Sequence, residues 1–394
     1  MNALTPKHWL LVFVLASLTA LGPLSIDMYL PAFQTIATDL NTPISHVQIS
    51  LSCFLGGLAV GQLFWGPLSD TYGSKKPILI SLCLFMVASY LCTAVDQIEY
   101  LWGLRFLQAL GSSGGLVIAR AIVNKRFSRE QTLKIYSILA LIGGIAPIVG
   151  PIVGNEILKH FHWHALFVAM LLFGLIGFSM TALFLKESDE ESISTAPKSA
   201  NFSVYLALFK NRQFLIYTII GSLSFSSLML YISNAPLLIM EEGGLSGDAF
   251  SLVFGLNSIG LMLGSFLTST VLQKHLTPRR ILFIATGIQL IASALLLVLL
   301  TQSFSIYAQL IALFFFVLPL GMLFPTATTL ALRPFKAHSG TASALFGASQ
   351  LAFTFLVSLV VNHLSNGSML IMALALLSCA LLSFCANVFA PKSA

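Results

Sequence analysis

One carboxylate inside a long apolar run is the first residue that could do chemistry. Asp27 lies near the end of the apolar run over residues 8–31. An ionisable side chain at membrane depth costs a few kcal/mol unless it is paired, hydrated or neutralised by a proton. This cost favours a carboxylate that binds and releases a proton. The alternative is that Asp27 lies at the headgroup boundary and only anchors its helix, because Pro31 follows closely.

A basic residue on a later apolar run is the candidate partner of this carboxylate. Arg105 and Gln108 are three residues apart and therefore share one face of a helix. At the helical rise per residue, Arg105 lies roughly 9 Å and Asp27 roughly 6 Å below the outer ends of their runs. An interaction between Asp27 and Arg105 is therefore geometrically available. The alternative is that Arg105 extends to the outer headgroups.

The turn over residues 66–77 could control movement. It contains Gly66, Asp70, Gly73 and Lys75. Its glycines let two helices reverse direction while they remain in close contact. Asp70 could accept hydrogen bonds from a neighbouring helix N-terminus and so hold one face of the protein closed. The alternative is a plain connecting turn.

A second segment, residues 143–155, has a face of small side chains and two helix-bending prolines. These residues are Gly143, Ala146, Pro147, Gly150, Pro151 and Gly154. Small residues allow another backbone to approach closely, and each proline removes one helix hydrogen bond. Such a kinked, closely packed helix suits an interface that moves without leaking. Ordinary helix packing is the alternative.

The overall composition shows which solvent surrounds these segments. Of the 394 residues, 57% are apolar and 9% are charged, whereas soluble domains carry about 25% charged residues. Lipid must therefore cover most of the surface. The net charge of +6 could suggest nucleic-acid binding, but the basic residues follow the loops of a membrane topology, so no nucleic-acid partner is expected.

Twelve apolar runs are long enough for transmembrane helices, which need about 20 residues. They cover residues 8–31, 44–68, 77–95, 99–123, 132–155, 163–185, 213–235, 249–273, 279–300, 305–330, 339–362 and 367–389. The sequence thus predicts an all-α polytopic membrane protein. Lys and Arg concentrate in alternate loops, which predicts that both ends of the chain lie inside. We expect an N-terminal six-helix lobe over 1–186, a cytoplasmic linker with a short amphipathic helix over 187–212, and a C-terminal six-helix lobe over 213–394.

These motifs together resemble the major facilitator superfamily. The turn resembles its signature loop, with Thr71 and Ser74 as departures. The pattern R-x-x-Q-x-x-G from Arg105 and the segment 143–155 resemble two motifs of its drug:proton antiporters, the second with Ala146 and Asn155 as departures. The stretch Ile-Asp-Met-Tyr-Leu-Pro-Ala around Asp27 is similar to the Bcr/CflA branch.

The resemblance implies a proton-coupled exporter of small, largely apolar drugs across the inner membrane, by alternating access. Asp27 corresponds to the acidic residue implicated in coupling, with Arg105 beside it. The alternative is an exporter of one endogenous metabolite, such as a siderophore or an amino-acid derivative. We expect a monomer in the lipid bilayer, with protons and a small molecule as partners. The chain carries no nucleotide-binding motif, and neither an enzyme activity nor a cofactor is expected.

Two weaker sets of residues complete the sequence predictions. Candidates to line a substrate cavity are Tyr29, Gln108, Met229, Tyr231 and Asn234. His160, His162 and His164 form an H-x-H-x-H pattern that could bind a metal. The neighbouring Trp163 and Phe167 instead resemble an interfacial motif of the family, so no metal is expected.

Overall fold

Helices form all the regular structure of the chain wherever it is described. The computed structural model describes residues 6–127, 129–185, 210–302, 304–365 and 369–390. Apolar runs of this length satisfy their backbone hydrogen bonds within a membrane only as helices. Within the described residues, eleven helices are long and apolar enough to cross a membrane. The predicted run over 132–155 lies in a further long helix, Arg129–His160.

Fourteen α-helices, two of them short, follow one another along the described chain. The first seven are α1 Pro6–Asp27, α2 Phe33–Asp39, α3 Ile44–Tyr72, α4 Lys75–Cys92, α5 Ile98–Arg126, α6 Arg129–His160 and α7 His164–Phe184. The others are α8 Arg212–Pro236, α9 Gly247–Leu267, α10 Gln273–His275, α11 Pro278–Thr301, α12 Ile306–Leu332, α13 Ser339–Ser365 and α14 Met369–Val388. One π-helical turn extends α8 and another extends α9.

Local sequence explains where several helices begin and end. Gly73 has a φ of 78° between α3 and α4, a conformation that glycine adopts without a steric penalty. Asn211 begins α8, because its side chain accepts a hydrogen bond from the Phe214 backbone N–H at 2.9 Å. The Thr277 side chain likewise accepts a hydrogen bond from the Arg280 backbone N–H at the start of α11, whose first residue is Pro278.

The chain forms two compact units. The first comprises Met1–Thr42 and Cys53–Lys198, and the second comprises Pro43–Ser52 and Ser199–Ala394. The first turns of α3 therefore belong with the second unit. Most of the predicted linker over 187–212 lies outside the described residues, so the predicted lobe boundaries stay a prediction.

Close backbone contacts hold the first unit together. α1 packs on α5, α6 and α7, and α4 packs on α5 and α7. Gly57 of α3 leaves no room for a Cβ against the Phe106 carbonyl oxygen of α5. Large apolar side chains such as Leu63 and Leu183 are exposed, as expected for helices whose outer faces contact lipid. Small residues at contacts between helices are typical of membrane proteins.

The second unit is built in the same way. α8 packs on α12, α13 and α14, α9 packs on α12, and α11 packs on α12 and α14. Gly264 of α9 lies against the Leu318 carbonyl oxygen of α12, and Gly321 of α12 lies against the Leu261 carbonyl oxygen of α9. A methyl group at either glycine would force the two helices apart.

Candidate functional site

Asp27 is the last residue of α1, at a break in the first membrane span. The break follows from Pro31, which has no backbone N–H to bond the Asp27 carbonyl oxygen. The Tyr29 N–H turns to the Ile26 carbonyl oxygen at 3.2 Å, which leaves the Ser25 carbonyl without its helical donor. Asp27 is only 3% exposed. Among the described residues, none hydrogen-bonds to its carboxyl group or forms an ion pair with it.

The small face of α6 packs directly against this carboxylate residue. A Cβ built on Gly150 would lie 2.5 Å from the Asp27 Cβ, and one built on Gly154 would overlap the Met28 carbonyl oxygen. Pro147 and Pro151 lie within α6 on either side of Gly150. The sequence predicted a face for close backbone approach, and the structure shows that the end of α1 occupies it.

Arg105 on α5 binds the open end of α1. Its Nη2 donates to the Ser25 carbonyl oxygen at 3.0 Å, and its Nη1 donates to Gln108 Oε1 at 2.5 Å. A cation is favourable at a helix C-terminus, where carbonyl oxygens lack donors. Arg105 thus lies beside the Asp27 segment, but it binds the backbone two residues earlier and makes no direct ion pair with Asp27.

Aromatic rings enclose the Arg105 guanidinium. Its central carbon lies 4.4 Å from the centre of the Tyr29 ring and 4.3 Å from that of Phe54. Arg105 is 0% exposed, and its Nε has no hydrogen-bond partner among the described residues. The alternative that Arg105 extends to the headgroups therefore does not describe this structure, because the side chain is inside the protein.

Two cavity candidates, Tyr29 and Gln108, are part of the buried surroundings of Arg105. The Gln108 Nε2 donates to Ser89 Oγ at 2.8 Å, and its Oε1 accepts from Arg105, so both the nitrogen and the oxygen of the amide have hydrogen-bond partners. Tyr29 lies edge-on to Phe33 with ring centres 5.1 Å apart. Both side chains are fully buried. Their predicted contact with a substrate stays a prediction.

The three candidates on α8 are also buried, within the second unit. The Tyr231 hydroxyl accepts a hydrogen bond from Asn257 Nδ2 at 2.8 Å. Asn234 Oδ1 accepts from Gln48 Nε2 at 3.0 Å, and Gln48 belongs to the same unit. Met229 is 7% exposed. These hydrogen bonds give Tyr231 and Asn234 a structural role, and their place in a substrate cavity stays a prediction.

The turn between α3 and α4 carries an interaction that the sequence did not reveal. Lys75 Nζ donates to the Ala182 carbonyl oxygen at 2.7 Å, near the C-terminus of α7. Gly66 lies opposite Val117 of α5, with room for a methyl group. The side chain of Asp70 and the surroundings of Gly143 lie outside the described part of the structure, so the predicted latch through Asp70 stays a prediction.

A cluster at the start of α7 includes one residue, Asp39, that sequence reasoning missed. Trp163 Nε1 donates to Asp39 Oδ2 at 2.8 Å. His162 and His164 lie next to each other, with their Nδ1 atoms 2.8 Å apart. The H-x-H-x-H pattern marked the histidines, but nothing in the sequence brings Asp39, the last residue of α2, to the same place.

Comparison with known families identifies the architecture. The model of the Major Facilitator Superfamily matches residues 15–357. This chain belongs to that superfamily. A solved structure, that of a D-xylose-proton symporter, superposes with a TM-score of 0.82 over 98% of this chain and 97% of its own. At 13% identity, it shows the major facilitator fold alone.

Three relatives are more similar in sequence. One is an uncharacterized MFS-type transporter, YdgK, of Bacillus subtilis (35% identical, covering 89% of this chain and 88% of the relative). Another is named a bicyclomycin resistance protein homolog, of Haemophilus influenzae (29% identical, 97% and 96%). The third is a multidrug resistance protein, MdtL, of Salmonella paratyphi C (30% identical, 94% and 93%).

The names of these relatives agree with the sequence motifs. The predicted resemblance to the superfamily is confirmed, and relatives named for bicyclomycin and multidrug resistance are consistent with its Bcr/CflA-like branch. The chain is therefore a major facilitator transporter in a helical, polytopic membrane fold. Membership in a transporter family supports the expectation that it is not an enzyme.

Proposed function

We propose that this transporter exports small, largely apolar compounds in exchange for protons. The observation that carries the proposal is Asp27, a buried carboxyl group at a helix break with no partner among the described residues. A charged carboxylate in such a place costs far more free energy than a protonated one. Asp27 therefore exchanges its proton when the site opens to water on one side and then on the other.

Arg105 supplies the charge that makes this exchange act on the helices. Its Nη groups bind Ser25 and Gln108, while its Nε has no partner among the described residues. Loss of the Asp27 proton creates a negative charge at the end of α1 that attracts the buried guanidinium strongly in a low dielectric. Return of the proton removes that attraction. The attraction between α1 and α5 is therefore stronger when Asp27 is deprotonated and weaker when it is protonated.

The free energy available from this exchange is sufficient for useful export. Each proton that moves inward gains about 2.3 kcal/mol per 100 mV of membrane potential. At about 1.4 kcal/mol for each tenfold ratio, one proton per substrate supports roughly a fifty-fold concentration difference. A pH difference across the membrane adds to this value.

The proposed substrate class comes from the names of two relatives. Two relatives carry the words bicyclomycin resistance and multidrug resistance in their names, and we extend that class of cargo to this chain. In the proposed site, Tyr29, Gln108, Met229, Tyr231 and Asn234 remain the candidate cavity residues. The transporter acts as a monomer in the lipid bilayer, with no cofactor and no nucleic-acid partner.

The movement is alternating access between two lobes. In this proposal, the lobes are the six helices over 1–186 and the six over 213–394. The segment 187–212 joins them on the cytoplasmic side, and both ends of the chain face the cytoplasm of a cell whose inner membrane holds the protein. The turn with Gly66, Asp70, Gly73 and Lys75 and the segment 143–155 permit the movement.

The test is proton release by purified protein when substrate binds. In weakly buffered detergent solution, bicyclomycin or a fluorescent lipophilic cation should release about one proton per wild-type molecule. Asp27→Asn keeps the size of the side chain but cannot release a proton, so release should disappear. The control is Asp96→Asn, which changes an exposed carboxylate of the same unit and should behave as the wild type.

Transport in everted membrane vesicles completes the test. The wild type should accumulate the compound when a proton gradient is imposed, and Asp27→Asn should not. Proton-driven accumulation by Asp27→Asn equal to that of the wild type would show that Asp27 only anchors α1. Accumulation of neither compound by the wild type would refute the multidrug assignment and leave export of a single metabolite.

A further inference from the structure

A second cluster of ionisable residues lies apart from the Asp27 site, where the end of α2 meets the start of α7. Asp39 ends α2, and His162 and His164 lie in the loop before α7 and at its first position. One potential ligand atom from each of the three residues lies within 4.8 Å of the other two. We call these three residues the histidine–aspartate cluster.

The ligand atoms of this cluster are near one another, though as a set of three they are farther apart than the ligands of a bound metal ion. The His162 and His164 Nδ1 atoms are 2.8 Å apart, and His162 Nε2 lies 3.6 Å from Asp39 Oδ1. Ligand atoms about 2.0–2.1 Å from a tetrahedral zinc ion are roughly 3.3 Å from each other. The two contacts of His162 use different nitrogens of its ring, so one ion requires the His162 ring to turn until a single nitrogen faces both His164 and Asp39, and one ligand atom from each residue already lies within 4.8 Å of the others.

Trp163, on the buried side of the cluster, holds Asp39 and His164 in position. It is 0% exposed, and its Nε1 donates to Asp39 Oδ2 at 2.8 Å, which leaves Oδ1 directed towards His162. The indole also stacks on the His164 ring, with ring centres 3.7 Å apart. Hydrogen bonds that orient a ligating carboxylate in this way raise metal affinity about 10–100-fold.

The open side of the cluster admits a hydrated ion. The side chain of His162 is 54% exposed and that of Asp39 is 39% exposed. Two neutral imidazoles and one carboxylate carry a single negative charge, which suits a divalent cation. The nearest basic residues along the chain, Lys159 and His160, both lie 3.2 Å from Glu156, so a carboxylate outside the cluster pairs with them.

We propose that the histidine–aspartate cluster binds a late first-row divalent cation such as Zn²⁺. Imidazole nitrogen with carboxylate oxygen is a donor set that these metals prefer, and three protein ligands leave a fourth position for water. The sequence-based expectation of no metal rested on the likeness of Trp163 and Phe167 to an interfacial motif of the family, and it did not include Asp39. An ion bound here ties the end of α2, twelve residues after Asp27 in the chain, to the start of α7.

The experiment is a Zn²⁺ titration of the purified full-length protein in detergent, followed by calorimetry. The wild type should bind one Zn²⁺ per molecule, and Mg²⁺, which prefers oxygen ligands, should give no heat of binding. His162→Asn removes one ligand at a half-exposed position and should weaken Zn²⁺ binding at least ~10-fold. His160→Asn is the matched control, because it removes a neighbouring histidine that pairs with Glu156.

A second variant protects the test against misfolding. Asp39→Asn retains an oxygen for the Trp163 N–H but loses the negative charge, so it should also bind Zn²⁺ at least ~10-fold more weakly while its melting temperature without metal stays near that of the wild type. No one-to-one Zn²⁺ binding by the wild type would overturn the proposal. Equal weakening by His162→Asn and His160→Asn would overturn it too, since the ion would then bind elsewhere.

Discussion

The contact between Gly150 and Asp27 gives the sharpest prediction for the coupling site. In Gly150→Ala, the new Cβ would lie 2.5 Å from the Asp27 Cβ and 3.3 Å from the Met28 backbone nitrogen. Non-bonded carbon atoms prefer separations of about 3.5–4.0 Å. The end of α1 must therefore move about 1 Å away from α6, and this movement displaces the carboxyl group from its position beside the Arg105 segment.

The expected cost follows from this overlap. Forcing an extra methyl group into a packed core typically costs about 1–3 kcal/mol. We expect Gly150→Ala to lower the melting temperature of the purified protein. The same cost, borne by the arrangement of α1 that exchanges the proton, reduces proton-driven transport about 5- to 140-fold, since about 1.4 kcal/mol corresponds to a factor of ten. Thermal unfolding in detergent and uptake into everted vesicles, normalised to protein inserted, measure the two effects.

A matched glycine separates this contact from a general effect of alanine. A Cβ on Gly103 of α5 meets no atom within 4 Å, so Gly103→Ala should retain wild-type transport and stability. Gly150→Ala that is as stable and as active as Gly103→Ala would refute the reasoning.

Two further predictions concern hydrogen bonds away from Asp27. Lys75→Met removes the hydrogen-bond donor to the end of α7 and should lower the free energy of unfolding by about 1 kcal/mol, measured by thermal or denaturant unfolding. The control is Lys76→Met, which changes an exposed position and should have no effect. Equal unfolding free energies for the two variants would show that the Lys75 hydrogen bond contributes nothing. Tyr231→Phe leaves the buried Asn257 amide without its partner hydroxyl and should lower the free energy of unfolding by about 1–3 kcal/mol in the same assay. Tyr90→Phe, which changes an exposed tyrosine, is its control. Wild-type stability of Tyr231→Phe would contradict the packing described for α8.

The helices could be predicted from the sequence because each apolar run is long enough to form its own hydrogen bonds. Depth along a helix follows from the rise per residue, which is why Asp27 and Arg105 could be placed at similar levels. Which atoms meet could not be predicted. Arg105 binds the Ser25 carbonyl because Pro31 ends α1 early, and only the packed structure shows that this carbonyl faces α5.

The small-residue face of α6 was predictable as a contact surface, but its partner was not. Glycines at positions 150 and 154 indicate close approach without naming the helix that approaches. Tyr231 and Asn234 show the reverse limitation, because polar side chains within a span indicate either a cavity or a hydrogen bond between helices. Asp39 gave no signal at all, since its neighbours His162 and Trp163 lie far along the chain.

The surroundings of Arg105 also bear on how the chain enters the membrane during synthesis. An arginine at the centre of a membrane helix costs about 2.5–3.5 kcal/mol when that helix inserts alone, and Arg105, in the first third of α5, bears a smaller cost of the same kind. The Ser25 carbonyl and the rings of Tyr29 and Phe54 that receive Arg105 all precede it in the chain. These groups are therefore synthesised before α5. As α5 enters the membrane, Arg105 can contact them directly instead of contacting lipid. Phe167 of α7, whose ring centre lies 5.9 Å from the guanidinium, joins these groups later.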